Sequence, residues 1–190
     1  MNGNLAYQDA FREELINGEL VAMSPAATNH NRIARNISRI FGNYLLWKDC
    51  EPFGDGEAVF LSEEDRFIPD FMVVCDAEKI KWNGVHGAPD LVVEVLSPGT
   101  AKNDRGRKKD VYEKYGVREY WIVSPSEKAV EQYLLENKKL VLHAVYTLHP
   151  DYVLADMTPQ ERAETAAEFT CSLYEDFVIR LEDIFYRAAG

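Results

Sequence analysis

The stretch Asp90–Ser97, DLVVEVLS, constrains this chain more than any other. From Leu91 to Leu96 every residue but Glu94 is apolar, and most of those are β-branched. Such a run reads as a central strand buried on both faces. An ionised carboxylate there costs several kcal/mol or more unless something pairs with it. Glu94 is therefore protonated, salt-bridged or holding a metal, or else it sits at a bulge or strand end.

The rest of the chain supports a folded core around that strand. With 190 residues, 46% hydrophobic and 12% aromatic, it is expected to form a single domain over residues 1–190. No apolar run approaches the ~20 residues of a membrane helix. The polar, acidic start MNGNLAYQDAFREEL argues against a secretory signal. Cys50, Cys75 and Cys171 are far apart, odd in number and without metal-knuckle spacing, which predicts reduced thiols and a cytoplasmic protein. The net charge of −11 disfavours nonspecific nucleic-acid binding through the whole surface. Residues 102–118 nevertheless carry seven basic against three acidic side chains, a local patch able to meet a phosphate backbone or simply a solvated face.

Taken in order, Leu5–Leu15 reads as a short helix, and Asn17-Gly18 as a tight turn into a strand over Glu19–Met23. The next helix is expected over Thr28–Trp47, with Ile33, Ile37, Ile40, Phe41 and Tyr44 as its apolar stripe. Arg32, Arg35 and Arg39 share the opposite face and read as a solvated row. Strands follow over Glu57–Ser62 and Phe67–Cys75, then a loop over Asp76–Pro89 leading into the central strand. A helix over Asn103–Tyr115, capped by Gly116, crosses to a strand over Glu119–Val123. Strand, helix and strand in that order predict a parallel pair with a right-handed crossover. Val130–Leu135 and Leu140–Tyr146 read as a hairpin, Pro150–Ala167 as partly helical, and Val178–Ala188 as a closing helix. The fold class is α/β, an α+β domain built on a mixed sheet.

If Phe67–Cys75 and Asp90–Ser97 are antiparallel neighbours, Asp70 near the start of one meets Glu94 near the end of the other. On the crossover helix Asp104, Lys108, Val111, Tyr112 and Tyr115 share one stripe. Lys108 thus sits in the face that packs on the sheet, and its side chain leans toward the helix N-terminus, where Glu94 lies. Two carboxylates and a lysine at a strand end suit a Mg²⁺ and phosphate site. A buried Glu–Lys salt bridge is the other reading of the same residues.

The segments FIPDFMVV, GAPDLVVEVLSPGT, the D-x₃-K-x₃-Y of Asp104, Lys108 and Tyr112, and GVREYWIVSP follow one another here. Together with the upstream EELINGELVAMSP and His30, they resemble the Uma-two family of restriction endonucleases, within the PD-(D/E)XK nuclease superfamily. The resemblance implies a restriction-endonuclease-like fold, a central mixed β-sheet flanked by helices. It also implies Mg²⁺-dependent cleavage of DNA, with Mn²⁺ as a substitute ion. Asp70 matches the superfamily aspartate and Glu94 the acid of its (D/E)XK element. Leu96 stands where the lysine of that element belongs, so Lys108 on the helix takes the lysine's part. By the same resemblance Glu14 completes the metal shell, while His30, Asp104 and Tyr112 are substrate or supporting residues. Glu19 reads equally well as an exposed strand residue, and Asp90 as a turn residue. A nuclease fold without turnover, binding nucleic acid or protein, is the alternative, and on either reading a homodimer is an assembly open to the protein.

Overall fold

The structure, a computed structural model, describes residues 13–188 apart from Ser24. Strands β1 (Glu13–Ile16) and β2 (Glu19–Ala22) are joined by the Asn17-Gly18 turn, and α1 spans Thr28–Leu45. Next come β3 (Glu51–Gly54), β4 (Val59–Phe60), β5 (Arg66–Phe67) and β6 (Phe71–Val74). A short hairpin, β7 (Ile80–Lys81) and β8 (Gly84–His86), precedes the central β9 (Leu91–Val95). The crossover comprises α2 (Ala101–Asn103), a π-turn over Asp104–Lys108 and α3 (Lys109–Tyr115). Strands β10 (Glu119–Ser124), β11 (Ala129–Glu136) and β12 (Lys139–Thr147) follow. Helices α4 (Asp151–Asp156) and α5 (Pro159–Glu164), strands β13 (Glu168–Thr170) and β14 (Val178–Arg180), and α6 (Leu181–Ile184) close the described chain.

The main sheet runs β12-β11-β10-β9-β6-β3. β9 and β10 are parallel, as the crossover predicts, and the other neighbours are antiparallel. Because strand side chains alternate, Leu91, Val93 and Val95 face one core, shared with Ile33, Ile37 and Phe41 of α1 and with Phe177, Ile179 and Leu181. Val92 and Leu96 face the other, shared with Val111 and Tyr112 of the crossover. Glu94 has the parity of Val92 and Leu96 and so points at the crossover helix. A second sheet, β2-β1-β5-β4-β8-β7, covers that side, contributing Ile16, Val59, Phe67 and Val85.

Several expectations are corrected. The helix over Leu5–Leu15 falls mostly outside the described residues, and its end, Glu13–Leu15, is strand paired with β2. Phe67–Cys75 is not one strand. Pro69 has no N–H to give a ladder, and the chain leaves the second sheet at Phe67 to enter the main sheet at Phe71. The Asp76–Pro89 segment is not bare loop, since it holds the β7–β8 hairpin. Val178–Ala188 begins as strand because Phe169 and Ile179 pair across β13 and β14. The thiols also differ from expectation. Cys50 and Cys75 form a disulfide, since the pairing of Glu51 with Val74 brings together cysteines 25 residues apart in sequence. Only Cys171 is free among the described cysteines, and it is buried. No helix among the described residues is long and apolar enough to cross a membrane.

Candidate active site

Phe71 pairs with Val93 and Met72 with Val92, which carries Asp70 alongside Glu94 at the C-terminal end of β9. Asp70 Oδ2 accepts the Val95 N–H at 2.7 Å and lies 3.2 Å from His30 Nε2. The interruption of strand pairing at Ile68-Pro69 thus delivers Asp70 to the sheet end, where a backbone amide fixes it. Both carboxylates are buried, Asp70 at 7% and Glu94 at 3% exposure.

Lys108 arrives from the crossover. Its Nζ lies 2.9 Å from Glu14 Oε1, 3.1 Å from Glu94 Oε1 and 3.5 Å from Asp104 Oδ1. The π-turn, with i→i+5 bonding, sets Asp104 and Lys108 on one line of the helix, both buried. Sequence periodicity places both on the inner stripe but gives no sign of the wider turn. Tyr112 donates its hydroxyl to Glu94 Oε1 at 3.0 Å, and Tyr120 donates to the Asp104 carbonyl at 2.9 Å. Glu14 Oε1 also accepts the Ile68 N–H at 3.0 Å. Glu14 thus holds the lysine and the Ile68 amide while lining the same cavity as Asp70 and Glu94.

Burial pushes the Glu94 carboxyl well up, against the pull of Lys108 and with the repulsion of Asp104, Asp70 and Glu14. Asp104 is raised for the same reason, again opposed by Lys108. Burial alone would lower Lys108, but Glu94, Glu14 and Asp104 outweigh it and keep the ammonium protonated. For His30 the Asp70 carboxylate likewise overcomes burial and raises the imidazole. Among the described residues buried His30 Nδ1 has no hydrogen-bond partner, and Asp104 Oδ1 has only the 3.5 Å ion pair with Lys108.

Of these residues, all but Ile68, Tyr112 and Tyr120 line one cavity of about 600 Å³, whose exposed lining residues Asn31 and Asp55 mark its mouth. A shallower depression beside Glu113 and Lys139 lies away from them. Among the described residues no three His, Cys, Asp or Glu side chains converge as a ready metal cage. That does not exclude Mg²⁺, which takes one or two carboxylates and keeps several waters. Asp70 and Glu94 supply two hard oxygen donors in register. A divalent cation would offset the mutual repulsion of the carboxylates that adds to burial in raising Glu94 and Asp104. The donor set fits the ion.

Two candidates fall elsewhere. Glu19 is exposed and pairs with Arg107 at 2.8 Å. Asp90 ties strands, accepting the Cys75 N–H at 2.8 Å and meeting Arg118 at 3.3 Å. Asp55 at the cavity mouth was not legible in sequence, because it stands in a turn without motif.

A mixed sheet between helices, with an acid pair at the end of β9 and a lysine brought in by the crossover, defines a restriction-endonuclease-like α/β protein. The chain belongs to the Uma2 family, described as "Putative restriction endonuclease", whose profile matches residues 5–166. It is 32% identical over 133 residues to an uncharacterized protein of Synechocystis sp., covering 68% of this chain and 70% of the relative. A second uncharacterized Synechocystis sp. protein is 30% identical over 126 residues, 64% of this chain and 71% of that one. A crystal structure titled as a "putative nuclease belonging to DUF820" from Anabaena variabilis shares the fold at TM-score 0.69 and 18% identity, over 91% of this chain and 89% of that one.

Proposed function

We propose that the protein is a Mg²⁺-dependent endonuclease hydrolysing phosphodiester bonds of DNA, with Asp70 and Glu94 as the residues that would hold the ion. Mn²⁺ would serve in its place. A bound divalent ion supplies neutralisation of phosphoryl charge and a more acidic water. The remaining work falls to this chain's own groups. Lys108 is a fixed ammonium at the cavity wall, able to orient a water and stabilise charge developing on the phosphoryl oxygens. Glu14 and Asp104 keep it charged and aimed. The Tyr112 hydroxyl pins Glu94, and the Val95 amide and His30 pin Asp70. The family match supports the reaction class, and a DNA substrate favours the cytoplasm, against which the Cys50–Cys75 disulfide stands.

The observation that carries the reading is the meeting of Asp70, Glu94 and Lys108, from three separate segments, on the wall of one cavity. One observation favours the alternative, a nuclease fold kept for binding without turnover: Lys108 is wholly engaged by three carboxylates. Incubating single-stranded circular and supercoiled duplex DNA with the protein, in Mg²⁺ or in EDTA, separates the two. Cleavage that needs Mg²⁺ and is lost in Asp70→Asn supports the nuclease; binding without cleavage supports the module.

A further inference from the structure

The basic patch of residues 102–118 is largely taken up by ion pairs within the chain, most of them at the surface. Arg105 pairs with Glu131, Arg107 with Glu19, Lys114 with Asp65 and Arg118 with Asp90, while Lys108 is buried among carboxylates. Five of its seven cations are thereby neutralised, and Lys109 lies over the Tyr133 ring at 5.1 Å. Cations without an ion pair, which meet a phosphate at no such cost, stand elsewhere.

The outer face of α1 offers such cations. Asn31 lines the cavity mouth, and Arg35 and Arg39 follow at four-residue intervals, all three exposed. Four helical residues advance about 6 Å, so the arginines form a row leading away from the mouth. Neither Arg35 nor Arg39 has an ion pair among the described residues. Beside this row runs the chain after α6. Arg32 donates to the Arg187 carbonyl at 3.2 Å, and buried Asn36 donates to the Ile184 and Tyr186 carbonyls at 3.0 and 2.9 Å. These bonds clip the segment to α1 and leave Tyr186 54% exposed. The Arg187 guanidinium lies 5.3 Å from the centre of that ring. Arginines along a track with an exposed ring beside them are the elements that hold unpaired strands, through phosphates and base stacking.

We propose that Arg35, Arg39, Tyr186 and Arg187 form a binding track for single-stranded nucleic acid that leads a strand to the carboxylate cavity past Asn31. Its service to catalysis rests on the nuclease reading, but its ligand does not. The ring favours an unpaired strand because stacking needs an unstacked base.

The test is fluorescence anisotropy with a labelled oligo-dT of about 15 nucleotides, in EDTA so that no turnover intrudes. Wild type should bind this probe more tightly than a duplex of equal length. Arg35→Gln/Arg39→Gln, with unchanged melting, should lose at least about tenfold in affinity. Its log–log salt slope should fall by about 1.4, since each single-strand phosphate contact contributes about 0.7. Tyr186→Ala should weaken binding about tenfold and leave the slope unchanged. A wild type that ignores the oligonucleotide or prefers duplex overturns the proposal, as does an arginine variant with wild-type affinity and slope. Binding that follows these expectations in a protein that never cleaves DNA would uphold the track and reject the nuclease.

Discussion

Lys108 Nζ lies 3.1 Å from Glu94 Oε1, although fourteen residues separate them in the chain. In a (D/E)XK strand the lysine stands two positions after the acid, on the same face of the sheet. Leu96 holds that position here and packs into the core under the crossover. The lysine that meets the acid instead descends from the crossover.

Metal binding should separate Glu14 from Asp70. Isothermal titration with Mg²⁺ or Mn²⁺ should show one ion bound by wild type and sharply weaker binding by Asp70→Ala. Glu14→Gln should bind nearly as wild type does, because its contacts are Lys108 and the Ile68 amide. Equal loss in both variants would return Glu14 to the metal shell.

Much of this arrangement was legible beforehand, for a simple reason. Strand parity and helix periodicity are set by the backbone, so Asp70, Glu94 and the Lys108 face follow from counting residues. What counting misses is pairing at a distance. Cys50 meets Cys75 only once β3 and β6 are in register, and Phe67 parts from Phe71 because two sheets compete for the strand around Pro69. The π-turn escapes for a related reason. Gly106 is its one local irregularity, and a glycine within a helix has many explanations.

The His30–Asp70 pair should be visible in its titration. Burial by itself depresses the imidazole, and the Asp70 carboxylate more than reverses this. With the folded pKa above the ordinary value near 6.5, the pair's stabilisation is complete below about pH 6.5 and fades as pH rises through the folded pKa. By NMR in metal-free buffer, Asp70→Asn should move the His30 midpoint below that of an exposed histidine. A midpoint unchanged by the substitution would show that Asp70 does not govern His30.

Tyr112 should prove structural and Lys109 not. Tyr112 is fully buried and donates to Glu94, so Tyr112→Ala should cost about 3–5 kcal/mol by chemical denaturation, as for other large aromatic truncations. Tyr112→Phe keeps the packing and loses only the bond, for about 1–3 kcal/mol. Lys109→Ala should change stability by less than about 0.5 kcal/mol. A costlier Lys109 would mean the crossover helix faces the other way.

Lys108 carries the central claim, and it is both a buried ion-pair member and the proposed catalytic cation. Lys108→Met alone should destabilise the fold by about 3–5 kcal/mol, since it strands carboxylates in the core, and lost activity would then be ambiguous. Adding Glu14→Gln removes one stranded charge. The most direct measurement is therefore Mg²⁺-dependent DNA cleavage by Glu14→Gln/Lys108→Met, alongside its melting curve and that of Lys108→Met. The account predicts that the double variant regains part of the lost stability yet stays at least about a hundredfold slower than Glu14→Gln, as expected on removing a transition-state donor. Cleavage that returned to the Glu14→Gln rate along with the stability would contradict it, and would leave Lys108 as no more than the counter-ion of a buried cluster.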